Sequence, residues 1–227
     1  SSSAITTENN KSLAYLLTML RISEAIAGVR DINDLLKRVA LETEKALNAE
    51  KCSVFLYEAE TNSLWARTDE DQSNNHYQAL DTISGYVVKT GQSLNITDAK
   101  EDPRFKSHSH QCCHSDAHQH IEIQTMLCIP MKNRKDQMLG VIQVINKKED
   151  VFHRSDEELL SAIAASAGVA LENAELYSEL KMTFESFIKT LSTTIDARDP
   201  ITAGHSERVT EFALLIGDEM LLSEDEM

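Results

Sequence analysis

An apolar stripe running from Leu160 to Ile195 limits the folds open to this chain more than any other feature. Leu160, Ile163, Ala167, Ala170, Ala174, Tyr177, Lys181, Phe184, Ile188, Leu191 and Ile195 follow one another at alternating steps of three and four, and only Lys181 breaks the stripe. A repeat averaging 3.5 residues keeps one face of a helix turned toward a partner helix along its whole length. The spacing therefore predicts one long, coiled-coil-like helix, about 50 Å in length at ~1.5 Å per residue. Ala164, Ala165, Ala167, Gly168 and Ala170 sit in its first half, where small side chains let a helix lie close on a sheet. The second half outruns such a domain, and a homodimer paired through it is expected.

Ahead of this helix the period is different. Leu13, Leu16, Leu17 and Leu20 have helical spacing, Gly28 is placed to end that helix, and Asp31 to start another with Leu35, Leu36, Val39 and Leu47 on one face. Five runs rich in β-formers follow. CSVFLY (52–57) and SLWART (63–68) flank the turn EAETN, SLNITD (93–98) stands alone, and TMLCIPM (125–131) and MLGVIQVINK (138–147) flank KNRKDQ. Strands between helical ends, with one helix among them, predict an α+β domain around a central antiparallel sheet, with Trp65 in its core. After Ile195, Pro200 and Gly204 interrupt the pattern and a further helix starts near His205.

Charge narrows the partners. Against 22 Lys and Arg stand 37 Asp and Glu, a net charge of −15 over 227 residues. Such an excess repels phosphate backbones and anionic lipid, so neither nucleic acid nor a membrane surface is expected as partner. No apolar run approaches membrane-spanning length and no signal peptide opens the chain. Four cysteines, two of them adjacent, do not make a disulfide scaffold, and a reducing cytoplasmic setting is expected.

Metal-binding chemistry is concentrated in one place. HSHQCCHSDAHQH (108–120) holds His108, His110, Cys112, Cys113, His114, His118 and His120. Imidazole and thiolate are the preferred donors for zinc, iron and copper. His114 and His118 would share a helix face, His108 and His110 a strand face, and Asp116 could orient a ligand imidazole. There is no C-x-x-C pair and no C-x-x-C-H, whereas a haem held by one axial histidine leaves no spacing signature. A transition-metal site, a haem site and a plain polar loop all stay open. Ser84 and Ser93 lack a neighbouring His/Asp signature, and no glycine-rich phosphate loop is present.

Two stretches carry a family resemblance. From about Asp31 to Glu172 the chain resembles a GAF domain through SGYVVKTGQSLNITDAKEDPRF (84–105), TMLCIPM (125–131) and LGVIQVINK with the helix EELLSAIAASAGVALENAELY. Asn146-Lys147, Phe152 and Asp156-Glu157 fit the N-K, F, D-E pattern of phosphodiesterase GAF domains. That resemblance implies a structural clasp, Lys147 to Asp156, worth under ~1 kcal/mol if it is an ordinary surface pair. It also implies a pocket on one sheet face, covered between Tyr77 and His120, with Tyr77, Tyr86, Asp98, Arg104 and Phe105 as candidate pocket and lid residues. Such pockets take cyclic nucleotides, tetrapyrroles, metals or other small molecules, and some take nothing. The His/Cys segment departs from the usual loop there.

IDARDPITAGHSERVTEFALLIG (195–217) resembles the opening of an HD-GYP domain, a metal-dependent hydrolase of cyclic di-GMP. His205 falls on that family's first metal-binding histidine, within the same signature as Glu207 and Arg208. A two-metal site activates water and neutralises a phosphodiester, and one histidine cannot hold it. The chain has no His-Asp dipeptide and no Gly-Tyr-Pro, so no catalysis is expected from it. The expected organisation is an N-terminal helix (1–30), a GAF sensor (31–157), a signalling and dimerisation helix (158–195) and the start of an HD-GYP domain (196–227).

Overall fold

The computed structural model describes residues 15–66, 75–78, 82–107, 122–198 and 205–220. They fall into two compact units, Ser1–Glu175 and Leu176–Met227. In the first unit, helix α1 (residues 15–26) ends at Gly28, whose φ of +82° is the left-handed conformation glycine adopts without strain. Helix α2 (Ile32–Leu47) is capped by Asp31, whose carboxylate accepts from the amides of Asn33 and Asp34 at 2.8 and 3.0 Å. Both boundaries are those the sequence signals.

The sheet that follows has six strands rather than five. They are β1 (Ala49–Glu58), β2 (Ser63–Ala66), β3 (Asn75–Gln78), β4 (Leu94–Ile96), β5 (Met126–Lys132) and β6 (Met138–Lys147). Their order is β3-β2-β1-β6-β5-β4, with every neighbouring pair antiparallel. The two expected hairpins, β1–β2 and β5–β6, are both present. Strand β3 is not predicted by the sequence because NHYQ has no apolar alternation; it is an edge strand held to β2 by backbone pairing, Leu64 opposite Tyr77. Among the described residues two helices rather than one lie between the strands: α3 (Ile83–Thr90) and the short α4 (Pro103–Ser107).

Alternation along the strands divides the core in two. On one face Cys52, Val54 and Leu56 of β1, Leu127, Ile129 and Met131 of β5, and Ile142 and Val144 of β6 are buried under α1, α2 and the long helix. Ile22, Ile26, Leu35, Val39, Leu160, Ile163, Ala167, Leu171 and Ala174 are their helical partners. Trp65 packs on this core, as expected. The intervening residues Met126, Cys128, Val141 and Ile145 face the other way, with Leu94 and Ile96 of β4, and are covered by Ile83 and Val87 of α3.

Helix α5 is unbroken from Arg154 to Arg198, slightly beyond the limits that the repeat predicts. Gly168 explains how closely its first half lies on β5: a Cβ there would sit 2.2 Å from the carbonyl oxygen of Lys132. The stripe changes character at the boundary between the units. Leu160, Ile163, Ala167 and Ala174 are buried, whereas Phe184, Ile188 and Leu191 are exposed. Residues Arg154–Thr194 are long and apolar enough, by length and composition, to cross a membrane, which qualifies the expectation that no such run exists. Much of that apolar character belongs to the half that forms the core of the first unit. The second unit holds the rest of α5 and helix α6 (His205–Glu219), on which Val209, Phe212, Leu215 and Ile216 are exposed.

Candidate functional site

The α3 face of the sheet carries polar chemistry at its centre. Thr82 caps α3, its hydroxyl accepting from the Gly85 amide at 3.0 Å, and Gly91 closes the helix in the left-handed conformation. This sets Ser84 against the sheet, where its hydroxyl donates to Gln143 Oε1 at 2.8 Å and the Cys128 thiol approaches the same oxygen at 3.8 Å. Ser84, Gln143 and Cys128 are all buried. Gln143 stands opposite Ser53 of β1 and Cys128 of β5, in the middle of three strands. Next along this face Phe55 and Leu64 are buried with Tyr57 and Val88 against them. A buried amide and hydroxyl cost free energy unless they bond, and here they bond each other. The sequence signal was the lone glutamine inside the apolar run GVIQVIN, which the strand assignment passed over.

The candidate pocket and lid residues separate into two groups. Tyr86, half-buried on α3, and Phe105 of α4 both pack on the core beneath α3. Asp98 and Arg104 are exposed and engaged in local turns. Asp98 accepts from the Lys100 amide at 2.9 Å, and Arg104 reaches Asp102 through Nε at 3.0 Å and Nη2 at 2.6 Å. Hydrogen bonding from the Arg104 side chain holds the Asp102 carboxyl below its usual range, against the opposing effect of burial. The same bond holds the guanidinium of Arg104 still more firmly protonated. Tyr77 is placed at its register opposite Leu64. His108, His110, Cys112, Cys113, His114, His118 and His120 lie outside the described residues. Among the described residues no group of three or more His, Cys, Asp or Glu side chains is placed to hold a metal. His205 opens α6.

The N-K, F, D-E residues converge. Lys147 Nζ lies 2.5 Å from Asp156 Oδ2, and the same carboxylate oxygen accepts from the backbone N–H of His153 at 2.8 Å. Asp156 therefore caps the first turn of α5 while pairing with the last residue of β6. Phe152 is buried in the main core, and its carbonyl accepts from Asn95 Nδ2 at 2.9 Å. Ser93 adds a bond to Glu157. With side chains only 18% and 13% exposed, the Lys147–Asp156 pair is sheltered, so the surface-pair figure understates it.

Asn146 does more than the clasp requires. It takes the left-handed conformation, with φ of 53°, and its amide Nδ2 donates to Glu50 Oε2 at 2.7 Å and to the Glu122 carbonyl at 2.9 Å. Its Oδ1 accepts from the amides of Gln124 and Thr125 at 2.8 and 3.3 Å. One side chain thus ties the re-entry of the chain after residue 121 to the start of β1 and the end of β6. A separate groove of about 370 Å³, bordered by Ser93, Pro130, Lys132, Asn133, Ser161 and Ala165, runs beside α5.

Residues 31–171 match the GAF domain family. The chain belongs to the GAF family. The probable 3',5'-cyclic phosphodiesterase pde-5 of Caenorhabditis elegans is 29% identical over an alignment of 158 residues that covers 63% of this chain. The chain spans about a fifth of that relative, 21% of its length. Among solved structures, the GAF domain of a phosphoenolpyruvate-protein phosphotransferase from Coxiella burnetii is similar with a TM-score of 0.61 at 16% identity, covering 73% of this chain and 96% of that one. The Acinetobacter counterpart gives 0.58 at 19%, covering 71% and 94%. The free methionine-R-sulfoxide reductase of Neisseria meningitidis, in complex with its substrate, gives 0.58 at 15%, covering 74% and 93%. At these identities the likeness establishes the fold: this is a GAF domain with a long C-terminal helix.

Proposed function

We propose that this GAF domain is a regulatory sensor that binds a small molecule on the α3 face of its sheet and signals through α5 of a homodimer to an HD-GYP-type cyclic di-GMP phosphodiesterase. The observation that carries the reading is the Ser84–Gln143 pair, a buried polar spot set among apolar residues beneath α3. An apolar site with a few fixed polar groups is what orients a small ligand. The clasp supplies the route outward, because it joins the end of β6, a strand on which α3 packs directly, to the first turn of α5.

Similarity to a cyclic phosphodiesterase favours a regulatory role beside a phosphodiester hydrolase, and the resemblance of residues 195–217 favours the HD-GYP kind. The chain itself hydrolyses nothing in this reading, since His205 would ligate metal only together with the rest of such a domain. Two buried free thiols, Cys52 and Cys128, fit a reducing cytoplasm. A second reading keeps the sensor but changes its ligand: the His/Cys segment of residues 108–120 takes a transition metal or haem.

Untagged protein, freshly purified, separates these readings. Mass spectrometry of the denatured supernatant releasing a nucleotide or other organic molecule, lost in Gln143→Leu, supports the first. Near-stoichiometric metal by elemental analysis, or a Soret band between about 350 and 450 nm, supports the second. Nothing released, no metal and no thermal shift with a panel of cyclic nucleotides would sink both.

A further inference from the structure

Below Tyr177 the exposed face of α5 is wider than one heptad seam. Tyr177, Phe184 and Leu191 recur every seven residues and are 41%, 62% and 43% exposed. On one flank of this column lie Lys181, Ile188 and Ile195; on the other lie Leu180, Phe187 and Thr194. Either flank completes a repeat of alternating three and four. Leu180 and Phe187 are 65% and 56% exposed and Ile188 46%, so among the described residues both flanks carry large apolar side chains open to solvent.

We propose that this segment pairs in parallel with the same segment of a second copy through either of two overlapping seams that share Tyr177, Phe184 and Leu191, and that exchange between them is the regulated step. The inference rests on the dimeric sensor reading and names its switch. Successive residues are about 100° apart around a helix and the shared column lies midway between the flanks, so the two seams differ by a rotation of roughly 50°. The occupant is a second copy because a seven-residue column is self-complementary across a two-fold axis, each shared residue meeting its own equivalent. Area agrees: at about 100 Å² each, the five large apolar side chains of either seam offer on the order of 500 Å² per copy, ~1,000 Å² for the pair, the threshold for a specific interface. A bilayer is a poor alternative, since Glu175, Glu179, Lys181, Glu185 and Lys189 fall within the same segment.

The two seams are closely matched. One buries Ile188 and Ile195 and must accommodate the ammonium of Lys181. The other replaces that charge with Leu180 and ends on Thr194, whose hydroxyl already donates to the Thr190 carbonyl at 2.7 Å and so brings no unmet donor into the seam. Ala174, the next position toward the domain, is buried within its own unit and favours neither. A polar residue at one core position is a known device for setting register at a cost in stability. Here it offsets what would otherwise be the better-packed seam, leaving a balance that a bound ligand can tip.

Cysteine crosslinking of the full chain tests this. In a Cys112→Ser, Cys113→Ser background, Phe187→Cys and Ile188→Cys are each oxidised with copper phenanthroline and read on a non-reducing gel. Both are expected to form disulfide-linked dimers to within about tenfold of each other, with Met182→Cys on the far face well below either. Adding Lys181→Leu is expected to shift crosslinking toward position 188, and adding Leu180→Lys to do the same by disabling the other seam. A dimer in which only one of positions 187 and 188 crosslinks in every background would overturn the two-seam proposal alone. A monomer by sedimentation, with no crosslink at any position, would overturn the dimeric reading beneath it, including the case in which α6 of the same chain covers the face.

Discussion

Lys147 and Asp156 form a pair whose value depends on shelter. The carboxylate serves the ammonium and the His153 amide at once, with little of either side chain in water. Lys147→Ala is expected to destabilise the domain by about 1–2 kcal/mol, a fall in Tm of a few degrees. Asp156→Asn should cost a similar amount, and the double variant less than the sum, by about 1 kcal/mol in a thermal-melt cycle. A second residue-scale test concerns acid. Asp102 has its carboxyl depressed by Arg104, so the pair stabilises fully above the unfolded carboxylate value and the contribution is lost as pH falls through the lower folded value. From about pH 4 downward, Asp102→Asn should therefore flatten the loss of Tm that the parent protein shows. The clasp was legible only through the family resemblance that Asn146-Lys147, Phe152 and Asp156-Glu157 carry. Gln143 and Asn146 were harder to read: a glutamine inside an apolar strand and an asparagine at a strand end reveal their bonding only once Ser84, Glu50 and Glu122 have been brought beside them from far away in the chain.

At the scale of elements, two glycines fix how closely layers approach. Gly140 sits on β6 where a Cβ would lie 2.0 Å from the Phe55 carbonyl oxygen, and Gly168 lies over the Lys132 carbonyl in the same way. For Gly168→Ala two effects compete. Alanine favours a helix interior over glycine by about 1 kcal/mol, but the obstacle is backbone, which cannot swing aside. The clash should win, with a net loss of about 2 kcal/mol or more by chemical denaturation; a stabilised variant would mean that α5 lies farther from β5. Elements were read well where a period was strong. Both hairpins, the caps at Gly28 and Asp31, and the unbroken α5 follow from spacing and end signals. Strand β3 was missed because an edge strand needs no buried face, and its polar residues carry no alternation to read.

For the whole molecule, the division at Glu175 matters most. One continuous helix belongs on one side to a packed domain and on the other to a segment whose large apolar residues face solvent. The stripe from Leu160 to Ile195 announced a helix whose small residues lie on a sheet and whose second half outruns it, but not the residue at which the change falls, since buried alanines and exposed aromatics share one spacing. Replacing Phe184 and Ile188 together with Asp should convert dimer to monomer, read as a lower sedimentation coefficient, while leaving the domain's melting transition within about 2 °C, because neither residue belongs to its core. An unchanged sedimentation coefficient would contradict the proposed dimer through this segment.

Asn146 has a thermal consequence. A single carboxamide makes four hydrogen bonds, three to residues 122–125 and one to Glu50, beside a lysine fastened to the helix start. Heat that frees the strand leading out of residues 122–125 must loosen its neighbours too, so the α3 face of the sheet and the start of α5 should be lost in one concerted transition and not by fraying from either end.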